Sequence, residues 1–421
     1  MSKDKVVVIS IDAMITDDIE VLKSFGETKD FFTNYAWGEE MLSVYPSLTY
    51  PCHVSILTGC YPDRHGIINN DVFDYDNPTP DWHWYNREHN VKSMLDTAKE
   101  SGLVTASVGW PSTSGADVDY LISKIWTPLA EDEDRVNSVS IKEIYHKYRY
   151  LLEGHRMASI DLFSRLCTCE IIERYKPDLT LCYLASIDSQ RHKKGVDTSL
   201  HTEALHEIAK HLGEISASCR KAGIFDDTTF VLVSDHGQID VKRVFNINVE
   251  LAKRGYIHKN ADGKTEWRII SHSTAFGGEI YTKNVNEKEV RKVLEEIRSE
   301  YPGEVERVLN SYEMEKIYHL AGPFDFMVEN QTGVAMGKAC EGPVISRPGM
   351  DDYKSANATH GHAPEKGKKA TFIIAGKRAN GGAKIREASI IDEAPTVMSI
   401  FGLKMENIDG KALSGLIKEN N

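Results

Sequence analysis

The sequence predicts an α/β fold, a mostly parallel central sheet with helices on both faces, interrupted by a small α+β insertion. Three short runs carry that expectation. Residues 6–11 (Val-Val-Val-Ile-Ser-Ile), 179–187 (Leu-Thr-Leu-Cys-Tyr-Leu-Ala-Ser-Ile) and 230–234 (Phe-Val-Leu-Val-Ser) are nearly continuous in apolar residues, and each ends in an aspartate: Asp12, Asp188 and Asp235. Runs of this length and texture are what a strand buried on both faces requires. Amphipathic helical patterns at 91–101 and 200–222 fall between them, and strands alternating with helices build a parallel sheet. In such sheets the ligand crevice lies beyond the carboxyl ends of the strands, so the three aspartates are expected along one edge.

After about residue 240 the pattern changes. Residues 277–281 read as a strand, 287–301 as a charged amphipathic helix and 305–309 as another strand, which sets 272–330 apart as an α+β insertion, or cap, between core segments 1–271 and 331–421. The core is expected to resume with a strand at 370–374 and a helix at 391–401, and the acidic, Ser-rich stretch 131–140 to form a solvated loop.

Composition narrows the function classes. Of 421 residues 41% are hydrophobic and 27% charged, enough apolar material for a large core. Lys and Arg number 50 against 63 Asp and Glu, a net charge of −13, which argues against a nucleic-acid polymer or an anionic membrane as partner. No run approaches the ~18 apolar residues of a spanning helix, and the N-terminal stretch before Val6 lacks signal-peptide character. Seven cysteines without framework spacing fit reduced thiols. These features give the expectation of a cytoplasmic protein acting on a small molecule.

Several residues could do chemistry. Asp235-His236 precede Gly237 at a strand end, so both side chains can reach one ion in a turn. Asp188 and His192 are spaced i to i+4 and would align on one helical turn, and His360-Gly361-His362 adds imidazole in a glycine-containing loop. Mixed carboxylate and imidazole ligation suits zinc better than magnesium. By contrast His201, His206 and His211 sit on an ordinary helix. Thr49 opens an apparent helix with Pro51 in its first turn. There it can be a simple cap, or a hydroxyl beside a bound phosphoryl group and a metal.

At these residues the chain resembles the alkaline phosphatase superfamily, and within it the type I phosphodiesterase/nucleotide pyrophosphatase family. The likeness runs through Ile11-Asp12, the Thr49 segment with Thr58-Gly59-Cys60-Tyr61-Pro62-Asp63-Arg64-His65-Gly66-Ile67, Gly109-Trp110-Pro111, Asp188-x3-His192, Ser234-Asp235-His236-Gly237 and Thr359-His360-Gly361. The resemblance implies an alkaline-phosphatase-like core. It also implies two divalent ions, one held by Asp12, Thr49, Asp235 and His236, the other by Asp188, His192 and His360. Thr49 would be the nucleophile, and the reaction would pass through a phosphothreonine intermediate. The implied substrate is small, phosphorylated and nucleotide-like.

Two positions depart from the family pattern. Cys52 stands where an asparagine commonly donates to a phosphate oxygen, and Arg191, beside His192, replaces a small residue. Cys52, Arg191, Phe73, Tyr75 and Trp110 are therefore the candidate substrate-binding residues, with the aromatic stretch Phe73, Tyr75, Trp82, His83, Trp84 and Tyr85 after Asn69-Asn70 as a possible stacking lip. The alternatives are a phosphomonoesterase or phosphonate hydrolase on the same core, or a catalytically silent metal-binding module.

Overall fold

A computed structural model describes residues 4–75, 81–125, 131–136 and 138–418. Twelve strands and eight helices position the site. The first half holds β1 (Lys5–Ile11), β2 (Tyr35–Leu42), α1 (Thr49–Thr58), α2 (Met94–Glu100), β3 (Thr105–Val108), β4 (Tyr120–Ile122), α3 (Met157–Tyr175), β5 (Leu179–Leu184), α4 (Ser186–Lys194), α5 (Thr202–Ala222) and β6 (Thr228–Val233). The second half holds β7 (Ile269–Ser273), β8 (Gly277–Thr282), α6 (Glu287–Glu300), β9 (Val305–Asn310), α7 (Ser311–Tyr318), β10 (Phe326–Asn330), β11 (Ala370–Gly376), β12 (Lys384–Ser389) and α8 (Glu393–Ile400).

Eight strands form the main sheet in the order β12-β2-β11-β6-β1-β5-β3-β4. All pairings are parallel except those of β11 with β6 and β2, so one strand alone runs against the rest. The central strand shows why its sequence is mostly apolar. Val6 and Val8 point to one face, packed with Cys52 and Ile56 of α1, Leu95 of α2 and Val397 of α8. Val7, Ile9 and Ile11 point to the other, packed with Leu205, Ile208 and Leu212 of α5. Period-two alternation therefore buries every side chain from Val6 to Ile11, with a helical layer on each face.

The helices begin where the chain supplies caps. Ser93 and Asp96 form a reciprocal capping box at the start of α2, and α5 ends at Gly223, whose φ of 71° is the left-handed conformation that closes a helix. One expected element differs. The run 179–187 was expected to stay extended up to Asp188, but β5 stops at Leu184 and α4 starts at Ser186. Asp161 on α3 accepts the backbone N–H groups of Ala185 (2.7 Å) and Ser186 (3.1 Å), which turns the chain there and puts Asp188 in the first turn of a helix. In the acidic stretch, residues 132–135 are helical and Ser138 is buried, its hydroxyl oxygen accepting from the Leu121 amide at 2.9 Å; residue 137 lies outside the described part.

A second, antiparallel sheet has the order β7-β8-β10-β9. Its apolar side packs with Val290, Val293, Leu294 and Ile297 of α6, a helix capped by the Asn286 side chain.

Candidate active site

The carboxyl ends of β1, β5 and β6 are level. Ile11 pairs with Leu184, Ser10 pairs with Val233, and the Asp12 amide continues the ladder to the Leu184 carbonyl at 2.9 Å. Asp12, Asp188 and Asp235 therefore emerge at one edge, and histidines from neighbouring loops complete two groups: Asp12, Asp235 and His236, and Asp188, His192 and His360. Within each group the offered ligand atoms all lie within 4.8 Å of one another.

The surroundings orient these side chains as ion ligands. His192 Nδ1 lies 2.7 Å from the Ala358 carbonyl and His360 Nδ1 lies 3.0 Å from that of Ser47. A carbonyl accepts only, so each Nδ1 carries a proton, and each Nε2 is turned toward Asp188, at 3.2 and 3.7 Å. His236 Nε2 lies 3.0 Å from Asp235 and 3.6 Å from Asp12, and its ring stacks on that of His360 at 3.8 Å, joining the two groups.

Electrostatics point the same way. Burial, then the charge of Asp235, pushes Asp12 well above the usual carboxylate range, and burial raises Asp235 to about 7. Burial also holds His236 and His360 well below the ordinary imidazole value, so both are neutral. Asp188 differs: burial alone would raise it, but His192, itself raised by Asp188, outweighs that and holds it low. Asp12 Oδ1 and Asp235 Oδ2 are buried acceptors without a hydrogen-bond donor. Crowded carboxylates with orphaned oxygens beside neutral imidazoles fit two divalent cations, and the nitrogen content of the donor set fits zinc.

Thr49 is the first residue of α1, and its Oγ1 lies 3.4 Å from His236 Nε2 at the edge of the first group. His53, one turn later, fixes it from behind. Its Nδ1 donates to the Thr49 carbonyl at 2.8 Å and its Nε2 meets the Ser10 hydroxyl at 2.8 Å, while burial lowers it to about 4 and keeps it neutral.

The five candidate substrate-binding residues lie elsewhere. Cys52 faces inward from α1 with no exposed surface, in the core with Ile56 and Leu57, where burial pushes its thiol up. Arg191 is equally buried, and its guanidinium is bound by Asp18 at 2.6 Å and by the carbonyls of Ala13 and Val196, so it faces away from any substrate. Trp110 is fully buried with its edge on His53. These three are structural. Phe73 stacks on Tyr281 of the second sheet at 3.8 Å, and Tyr75 meets Trp267 and the Cys340 thiol. From the same aromatic stretch it is Trp82 that reaches the site, its ring 5.4 Å from that of Tyr50, beside Thr49, and 5.9 Å from Tyr353.

Other contacts were not anticipated from the sequence. Tyr183, an apparently ordinary strand residue, donates its hydroxyl to Asp12, and Gln238 donates to Asp188 at 2.5 Å. Asn70, in the Asn69-Asn70 pair, is the amide that approaches Thr49: it accepts from the Tyr50 N–H and donates to the Tyr353 hydroxyl, each at 2.9 Å. Tyr353 in turn packs against His192 and His360. Lys124 is a buried ammonium over the Tyr183 ring, lowered to about 8 by desolvation against the pull of Asp12.

Comparison with known proteins agrees with this geometry. The family model for type I phosphodiesterase / nucleotide pyrophosphatase matches residues 6–351. The human ectonucleotide pyrophosphatase/phosphodiesterase family member 1 is 25% identical over 210 residues, 47% of this chain and 20% of that protein. The bovine bis(5'-adenosyl)-triphosphatase ENPP4 is 23% identical over 263 residues, 59% of this chain and 51% of that protein. The chain thus spans from a fifth to about half of the length of these curated relatives. The structure of murine ectonucleotide pyrophosphatase/phosphodiesterase 5 shares the fold, with a TM-score of 0.69 at 16% identity, covering 99% of this chain and 100% of that one. An inactive variant of the same murine protein, in complex with AMP, superposes with a TM-score of 0.69 at 15% identity.

Proposed function

The chain belongs to the type I phosphodiesterase/nucleotide pyrophosphatase family, and from that premise we propose that it hydrolyses phosphodiester or pyrophosphate bonds of nucleotide-like substrates, with Thr49 as nucleophile. The observation that carries the reading is the position of the Thr49 hydroxyl, at a helix start, 3.4 Å from a ligand of the first group whose ring stacks on a ligand of the second. The AMP bound to the murine neighbour and the bis(5'-adenosyl) triphosphate named for the bovine relative support a nucleotide-like substrate.

Asp12, Asp235 and His236, with Thr49, would hold one divalent ion, and Asp188, His192 and His360 the other. Bound there, two zinc ions would supply charge neutralisation at the phosphoryl oxygens and lower the pKa of a coordinated hydroxyl or water. The chain's own residues do the rest. His53 holds the Thr49 backbone, so the hydroxyl points out of the helix. In the first step the Thr49 Oγ1–P bond forms as the P–O bond to the leaving group breaks, and the threonine proton is lost to water. The product is a phosphothreonine that still carries the nucleoside or other alcohol. In the second, a water oxygen bonds to phosphorus, the P–Oγ1 bond breaks and Thr49 recovers a proton. Trp82, over Tyr50 and Tyr353, is the ring placed to flank a planar group of the substrate.

We assign the second sheet, from His272 in its first strand onward, to a cap inserted at 272–330 between core segments 1–271 and 331–421. His272 on β7 bridges Asp71 (3.0 Å) and Glu279 (3.1 Å), while Lys354 binds Asp71 and the Ser273 carbonyl, a network that ties the sheet to the loop carrying Asn70. No helix among the described residues is long and apolar enough to cross a membrane. All seven cysteines carry free thiols, which supports a reducing compartment such as the cytoplasm.

The test is a rate comparison on zinc-loaded protein: a nucleoside p-nitrophenyl phosphodiester against p-nitrophenyl phosphate, with Thr49→Ala as reference. The reading expects the diester to react about a hundredfold faster, ~2.7 kcal/mol in transition-state preference, and the alanine variant to fold but not turn over. A reversed ratio would assign the site to phosphomonoesters, and wild-type turnover by Thr49→Ala would remove threonine from the mechanism.

A further inference from the structure

Lys124 follows β4 and is only 6% exposed. Its ammonium sits 4.0 Å from the centroid of the Tyr183 ring and 5.1 Å from that of Tyr50. Tyr183 donates to Asp12, and Tyr50 directly follows Thr49. Among the described residues no oxygen accepts a hydrogen bond from this ammonium. The carboxylates act on it from a distance, Asp12 first, then Asp235, Asp188 and Asp161.

A buried ammonium without an acceptor is costly, and two aromatic faces return only part of its lost hydration. Neutralising the carboxylates does not explain it. Asp12, Asp235 and Asp188 carry −3 and Asp161 a further −1, whereas two divalent ions bring +4. With Thr49 still protonated, the loaded pocket then has a surplus of +1, which is the charge of Lys124 itself. A phosphoryl oxygen brought in with a substrate would supply an acceptor for this ammonium.

We propose that Lys124 donates to a nonbridging oxygen of the phosphoryl group transferred to and from Thr49, a fixed organic cation beside the ion held by Asp12, Asp235 and His236. This rests on the two-ion phosphoryl-transfer reading above. It makes Lys124 a phosphoryl-binding residue, in the role first assigned to Cys52 or Arg191. A lysine is suited to it, since a point charge on a flexible stem can follow the oxygen as phosphorus moves between Thr49 and the leaving group.

The experiment measures binding of inorganic phosphate by titration calorimetry to zinc-loaded wild-type protein, Lys124→Gln and Lys124→Met. The methionine keeps the volume between the two rings apolar and guards against misfolding. Both variants are expected to bind phosphate about tenfold or more weakly while elemental analysis shows unchanged zinc. Unchanged phosphate affinity would overturn the proposal, as would an affinity loss that follows a loss of zinc, because Lys124 would then support the ion sites. The titration needs no turnover: wild-type protein that binds phosphate through Lys124 but cleaves no diester would refute the proposed activity and leave the lysine's role standing.

Discussion

Replacing Asp18 by asparagine tests whether Arg191 is a structural residue. Both side chains are fully buried, and one guanidinium nitrogen, Nη2, donates to both carboxylate oxygens at 2.6 and 2.7 Å. The other nitrogens donate to the carbonyls of Ala13 (3.2 Å) and Val196 (2.7 Å). Asp18 also accepts from the Ile15 amide and the Thr198 hydroxyl, each at 2.9 Å. The pair thus pins the turn after Asp12, where Ala13 holds a φ of 58°. Asp18→Asn keeps the shape and removes the charge, leaving a buried cation with neutral acceptors only. The expected loss is about 3–5 kcal/mol, against about 0–1 kcal/mol for an exposed pair, and is read from urea unfolding followed by tryptophan fluorescence. The double variant Asp18→Leu/Arg191→Met, apolar on both sides, should recover most of it. Asp18→Asn within ~1 kcal/mol of wild type, together with an Arg191→Met variant altered in KM but not in stability, would refute the argument and return Arg191 to the substrate.

Two further outcomes follow from local geometry. His65 Nδ1 accepts from the Ile67 amide at 3.1 Å and Nε2 meets the Ser55 hydroxyl at 2.9 Å, and burial lowers the ring to about 3. The unfolded chain therefore binds a proton that the folded one refuses, and stability falls as pH drops below about 6.5 and continues to fall toward pH 3. His65→Asn should make the urea midpoint less pH-dependent between pH 6 and 4, by up to ~1.4 kcal/mol per pH unit; parallel profiles would show that the ring is already protonated in the fold. Gly361, between His360 and His362, has a φ of 91°, and a Cβ there would stand 2.0 Å from the Thr274 carbonyl. Gly361→Ala should cost about 2–5 kcal/mol through backbone strain and overpacking and release zinc by shifting His360; a stable variant with full zinc would contradict the close approach of that loop to the second sheet.

Much of the sheet was legible because its physics is local. A strand buried on both faces must be largely apolar, so β1 and β6 announce themselves, and the aspartates follow close to their ends. What stayed hidden depends on residues far apart in the chain. Nothing near Leu184 says that the strand stops there, because the turn is made by Asp161 from another helix. Arg191 reads as a free cation beside a ligand until Asp18, distant in sequence, is brought against it. Cys52 looks like a subsite residue only until the helix rotation is known, and α1 turns it into the core. Tyr183 passes for strand filling, yet its pairing with Ser10 across the ladder sets its hydroxyl on Asp12. A lone lysine in Ser123-Lys124-Ile125 carries no local signal.

The proposed function needs two side-chain groups able to hold a divalent ion each, and counting bound ions tests that most directly. Elemental analysis of purified, zinc-equilibrated protein should find about two zinc ions per chain for wild type. In His192→Ala, which removes one ligand of the Asp188 group while leaving Asp12, Asp235 and His236 untouched, it should find about one. A wild-type chain that cannot be loaded with two ions, or a His192→Ala protein that retains both, would contradict it.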